Sequence, residues 1–187
     1  MNDDYFENEI KVLDVSPEII CNKLDSMGAK KVFDDDRVFT TFDSQTESYL
    51  AKDILIRLTE EEKLKLSIST DTSKSSTGEK RTIKVFVSRK KEMIDFFAVL
   101  GIEAVAEVKS HRISYELTTS KGIVDFDLDT FPLIGSFLEI DLENMDRPLD
   151  EYLKELGLEN NRIVNCGTEQ IYGMYGYDYY KEFSIKK

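Results

Sequence analysis

Polar and apolar positions alternate through most of this chain, and the alternation starts near its beginning. In Glu7-Asn8-Glu9-Ile10-Lys11 a period of two puts Glu7, Glu9 and Lys11 on one face of a strand. That strand is predicted over residues 7–15 and stops at Ser16-Pro17. Ser16 caps a helix over about 17–28, with Pro17 at its first position and Glu18 in its first turn. Ile19, Ile20, Leu24 and Met27 repeat at helical spacing, and Gly28 ends it. Arg37-Val38-Phe39-Thr40-Thr41-Phe42-Asp43 gives a second strand within 36–43; Asp53 to Leu58, Lys63 to Thr70 and Lys80 to Val87 give three more. Glu60-Glu61-Glu62 reads as a solvated hairpin turn and Asp71 to Glu79 as a loose polar loop. Ser88 opens a second helix through Ile94, Phe96, Phe97 and Leu100, ended by Gly101. Further strands are expected at about 103–109, 111–119, 122–129 and 136–143, then a short helix at 148–156 and a tail rich in tyrosine.

About eight strands with mostly short connections imply an α+β fold: a closed or nearly closed antiparallel eight-stranded β-barrel, a tunnel, with flanking helices. The 187 residues suit a single domain, 1–187. No apolar run approaches a membrane span, and the acidic start Met1-Asn2-Asp3-Asp4-Tyr5 lacks the layout of a secretion signal, so a cytoplasmic protein without membrane association is expected. The formal charge of −12 argues against a nucleic-acid partner, since that binding rests on phosphate neutralisation. It leaves room for a locally basic cavity. Cys21 and Cys166 have no CxxC partner and read as ordinary thiols. His111 is the one histidine, which leaves histidine-based catalysis almost no material; it reads as structural or exposed.

The charged positions gather in strands. Asp125, Asp127 and Asp129 occupy one face of Ile123-Val124-Asp125-Phe126-Asp127-Leu128-Asp129, and Glu139, Asp141 and Glu143 repeat the arrangement in the next strand. Rows of like charge destabilise a sheet unless cations lie opposite. Such rows, with Glu7 and Glu9, invite basic side chains or a hard divalent ion such as magnesium or manganese; two solvated strand faces are the plainer alternative. Arg57 sits in an apolar strand, where an edge arginine would look the same. Lys63 and Lys65 alternate with leucines, while Arg81 and Lys84 have opposite parity, so without a bulge only one of them can point inward; Lys109 and Arg112 also have opposite parity.

Taken together the pattern resembles the CYTH superfamily of triphosphate-tunnel enzymes, which includes class IV adenylyl cyclases, thiamine triphosphatases and inorganic triphosphatases. Glu7, Glu9 and Lys11 match its first signature, and Asp129, Gly135, Phe137, Glu139 and Asp141 its late one; Arg57 and Arg112, the latter ahead of Tyr115, stand where family arginines belong. The resemblance covers roughly residues 5–143, leaving 144–187 as a helical, tyrosine-rich extension. It implies metal-dependent hydrolysis of an inorganic or organic triphosphate. Glu7, Glu9, Glu139 and Asp141 would hold magnesium or manganese, with Asp127, Asp129 and Glu143 as further acids. Lys11, Arg57, Lys65, Arg81 and Arg112 would bind the triphosphate, with Lys63, Lys84 and Lys109 in reserve.

Departures open alternatives. Leu55 replaces one expected arginine, Ile83 and Val85 stand where acids are expected, and Ser110 replaces a lysine, with Lys109 displaced by one. Cyclisation of ATP to cyclic AMP and pyrophosphate is one alternative, and binding of a phosphate metabolite or polyphosphate without catalysis is another. The tail tyrosines Tyr172, Tyr175, Tyr177, Tyr179 and Tyr180 read either as a partner-docking patch or as packing over a barrel mouth or in a homodimer seam.

Overall fold

The computed structural model of the chain describes residues 9–71 and 80–185, so Glu7 lies outside the described residues. The strands are β1 (Glu9–Leu13), β2 (Lys30–Ser44), β3 (Ile54–Glu60), β4 (Lys65–Asp71), β5 (Lys80–Phe86), β6 (Ile102–Thr118), β7 (Ile123–Phe131), β8 (Gly135–Asp141) and β9 (Ile163–Val164). The helices are α1 (Pro17–Ser26), α2 (Lys90–Val99), α3 (Leu149–Leu156), α4 (Thr168–Met174) and α5 (Tyr179–Glu182).

The closed eight-stranded barrel expected from the sequence is not what forms. The strands make one nine-stranded antiparallel sheet in the order β5-β4-β3-β2-β6-β7-β8-β1-β9, with two ends. Closure would need the outer edge of β1, and the short β9 occupies it through Lys11↔Val164 and Val12↔Ile163. Two expected strands, 103–109 and 111–119, are one continuous β6 of 17 residues. β2 starts at Lys30, ahead of the expected 36, because its first residues are largely exposed and carry no one-sided apolar alternation. β8 ends at Asp141, whose carboxylate accepts the Glu143 N–H at 2.8 Å, so Glu143 lies beyond the strand.

The chain divides into two compact units, one of described residues 37–71, 80–109 and 178–185, the other of 9–36 and 110–177. In the second unit one face of β1, β6, β7 and β8 is apolar. Val12, Tyr115, Val124, Phe126, Leu128, Leu138 and Ile140 there are buried against Ile20 and Leu24 of α1 and Tyr152, Leu153 and Leu156 of α3. Asp150 and Glu151 in the first turn of α3 suit its helix dipole, and Gly157, at φ 74°, ends it in the left-handed conformation. In α4, Tyr172 is fully buried, packs edge-on to Phe131 and donates its hydroxyl to the Pro132 carbonyl at 2.7 Å.

The first unit has its own core of Phe42, Ile56, Leu58, Phe97 and Ile102, with the Phe42 and Phe97 rings 4.9 Å apart. The connection from β2 to β3 winds around Asp43, whose carboxylate accepts the N–H groups of Ser44, Tyr49 and Leu50 and the Ser48 hydroxyl. Burial pushes the Asp43 carboxyl up, but those hydrogen bonds outweigh it and hold the group below its ordinary value. Tyr179 packs against Tyr180 and Phe183 in the same unit. Among the described residues no helix is long and apolar enough to cross a membrane.

Candidate functional site

With one face of β1, β6, β7 and β8 given to the core of the second unit, the period of two sends their charged residues to the other face. The ladders fix their neighbours. Arg112 of β6 lies opposite Asp129 of β7, and Ser114 opposite Asp127. Asp127 in turn lies opposite Glu139 of β8, and Glu139 opposite Lys11 of β1. One step further along, Glu116 pairs with Asp125 and Asp141 with Glu9. Seven acids therefore share this face with two bases.

The two bases are held by the acids. The Arg112 guanidinium donates from Nε to Asp129 at 2.7 Å and from Nη2 to Glu139 at 2.6 Å, with further bonds to Asp127 and to the second Asp129 oxygen. Burial works against its charge, but Asp129, Glu139 and Asp127 outweigh that and raise its pKa well above the ordinary value. Lys11, 6% exposed, lies 2.6 Å from Glu9 and 3.1 Å from Glu139. Its pKa too is raised: burial opposes the charge, and Glu139 and Glu9 more than restore it. Among the described residues Asp125 has no such cation, and burial together with Asp127, Glu116 and Asp141 pushes it up.

Carboxylate oxygens are the right donors for magnesium or manganese. Among the described residues their arrangement does not converge on one. Glu9 and Glu139 are engaged by Lys11, and Asp127, Asp129 and Glu139 by Arg112, so among the described residues no three acidic, histidine or cysteine side chains converge to hold an ion.

The first unit presents a face of the opposite sign. Across its ladders Thr41 of β2 faces Arg57 of β3, Arg57 faces Ser67 of β4, and Ser67 faces Lys84 of β5. Arg57 is half-buried; its Nε is shielded from solvent without a hydrogen-bond partner, and among the described residues it makes no ion pair. The Thr41 hydroxyl opposite is fully buried and likewise unsatisfied. Lys65 sits one step along and pairs with Glu61. Lys84 and Lys109 are exposed, as is Lys63, whose ammonium lies 5.5 Å from the Phe86 ring centroid. Arg81 is in β5 opposite Thr70.

Sequence reasoning missed Arg37, Thr41 and Ser114, whose roles depend on ladder register. The alternation Arg37, Phe39, Thr41 was the available signal. His111 lies between Asp36 and Asp34, at 3.0 and 3.1 Å from its two ring nitrogens, with Lys31 on the far oxygen of Asp34; it pins strands together.

No protein-family model matches the chain, and no curated protein matches it. Solved structures do. A protein from Pyrococcus horikoshii OT3 is 22% identical with a TM-score of 0.62, over 83% of this chain and 94% of its own. A putative adenylate cyclase from Vibrio parahaemolyticus is 13% identical with a TM-score of 0.67, over 90% and 98%. A putative adenylyl cyclase from Hippeastrum, described as having a dominant triphosphatase activity, is 14% identical with a TM-score of 0.59, over 89% and 94%. These are likenesses of fold.

Proposed function

We propose that the protein is a triphosphatase that cleaves a phosphoanhydride bond of an inorganic or organic triphosphate. One observation carries the reading: Arg57 is a half-buried cation with no carboxylate beside it among the described residues, and the unsatisfied Thr41 hydroxyl faces it across the ladder. A desolvated charge without a counter-charge is costly, and a bound anion removes that cost. Guanidinium groups suit phosphoryl oxygens because their N–H donors lie in one plane and form paired bonds. Arg57 and Lys65 bind the anion in this reading, and Lys84 adds charge at the end of the row; Arg81, opposite Thr70, has the other parity on β5. Lys11 and Arg112 keep the carboxylates of the second unit in fixed positions.

In hydrolysis, water adds to the terminal phosphorus and its proton passes to solvent. The bridging P–O bond breaks, and orthophosphate and diphosphate leave. The Hippeastrum protein's triphosphatase activity favours this chemistry. The neighbours described as putative adenylate cyclases support a second reading, in which a ribose 3′-hydroxyl attacks the α-phosphorus of ATP and pyrophosphate departs. Against that reading, Phe39 on the cationic face is occupied by arginine side chains and not open to stack on a base.

The test is a panel of tripolyphosphate, thiamine triphosphate and ATP, each with and without magnesium or manganese. Orthophosphate release is the expected result. Cyclic AMP with pyrophosphate would establish the cyclase reading instead, and binding without product would leave a phosphate-metabolite binder.

A further inference from the structure

β2 changes character at Arg37. No side chain of Lys30–Asp36 is buried, whereas Arg37, Phe39 and Thr41 are. The outer half has little apolar contact to hold it, so side-chain bonds to a neighbouring strand weigh heavily in its local stability. His111 of β6 makes two of them. Its Nδ1 lies 3.0 Å from Asp36 and its Nε2 3.1 Å from Asp34, while Lys31 donates to the other Asp34 oxygen at 2.7 Å. The Asp34 carboxyl is held below its ordinary value by Lys31 first, against burial and with help from His111. On β7 the residue opposite the ring is the uncharged Thr130, bonded to Ser136. On β6 Lys109 shares the ring's face two residues earlier, and Arg112 turns to the other face.

A neutral imidazole carries one N–H and one bare nitrogen, and an ionised carboxylate only accepts. Carboxylates on both ring nitrogens are therefore satisfied together only by the imidazolium. Once a proton leaves, a lone pair faces a carboxylate and one of the two bonds is gone. We propose that His111 is a proton-operated clasp, which ties the outer half of β2 to β6 and releases it when the ring is deprotonated. Protonation favours the closed clasp, so the hold is full between the ordinary carboxyl and imidazole ranges and falls as pH rises through the latter. Release is confined to Lys30–Asp36, because the strand from Arg37 onward is anchored by buried side chains.

Amide hydrogen exchange of the full chain at pH 5.5 and 8.5, corrected for the intrinsic rates, tests this. Protection of residues 31–36 is expected to be about threefold lower at the higher pH, the scale of an exposed ion pair, while 38–42 keep theirs. The chain has one histidine, so the ring's own proton resonance follows its protonation, and the loss of protection is expected to track it. His111→Gln does not titrate and is expected to give the same protection of 31–36 at both pH values. Asp34→Asn lets a neutral ring make both bonds, its N–H to Asp36 and its bare nitrogen to the new amide, and is expected to remove the pH difference too. Residues 38–42 report the fold; if they lose protection in His111→Gln, Asp34→Asn decides. Protection of 31–36 that ignores pH in the parent, or the same pH dependence in the folded variants, overturns the clasp.

Discussion

A lysine buried as deeply as Lys11 keeps its proton because Glu139 and Glu9 face it. Replacing it with methionine removes this cation from Glu9 and leaves Glu139 to Arg112, and Lys11→Met is expected to cost about 3 kcal/mol in urea unfolding at neutral pH. The pH dependence follows from the direction of the shift. The folded-state pKa lies above that of an unfolded lysine, so the stabilisation is complete below the unfolded value and fades as pH rises through the folded one. The gap between parent and variant should therefore stay level from about pH 6 to 9. A gap that vanishes at neutral pH would show that the ion pairs contribute nothing.

At the scale of elements, Asp43 organises the connection between β2 and β3, and its carboxyl is held below the ordinary value. A depressed carboxyl stabilises above its unfolded pKa and loses that contribution as pH falls through its folded one. Asp43→Asn is therefore expected to flatten the loss of stability on acidification, and Asp43→Ala to cost about 1–2 kcal/mol at neutral pH, both read from thermal or urea unfolding. If the parent and Asp43→Asn lose stability in parallel as acid is added, the hydrogen-bonded carboxylate is not what responds to pH.

Elements with one buried face were legible in the sequence: β3, β7, α1 and α3 lie close to where alternation or helical spacing put them, as does the alternating but less buried β4. The exposed first part of β2 and the two-residue β9 gave no such signal. Periodicity tells which residues share a face but not which strands are neighbours, and for that reason the closed barrel was wrong and Arg37 was overlooked. The grouping of Lys11 with Glu9 and Glu139, and of Arg112 with Asp129, follows from register, a property of pairs of strands.

For the whole molecule, an open sheet leaves ends that a closed one would not have. At one end β9 offers only two residues of edge. At the other, β5 carries Ile83, Val85 and Phe86, exposed at 53%, 49% and 70%, around Lys84. A charged side chain on such an edge opposes strand addition by other copies. Lys84→Val is expected to shift the protein toward larger species in size-exclusion chromatography relative to the parent, and Lys84→Glu is not. Identical elution of all three would mean that Lys84 does not guard the edge.

The bond from Tyr172 to Pro132 reaches back from the extension into the bend joining β7 to β8. The phenol that ties this bend comes from about forty residues later in the chain, in α4. A fragment ending near residue 143 would lose the edge-on Tyr172–Phe131 contact and the phenol on the Pro132 carbonyl, leaving Phe131 stacked on Phe137 and that carbonyl to the Ile134 N–H. The C-terminal stretch is thus a keystone for the hairpin it overlies, and trimming there would loosen the strands that carry Asp129 and Glu139.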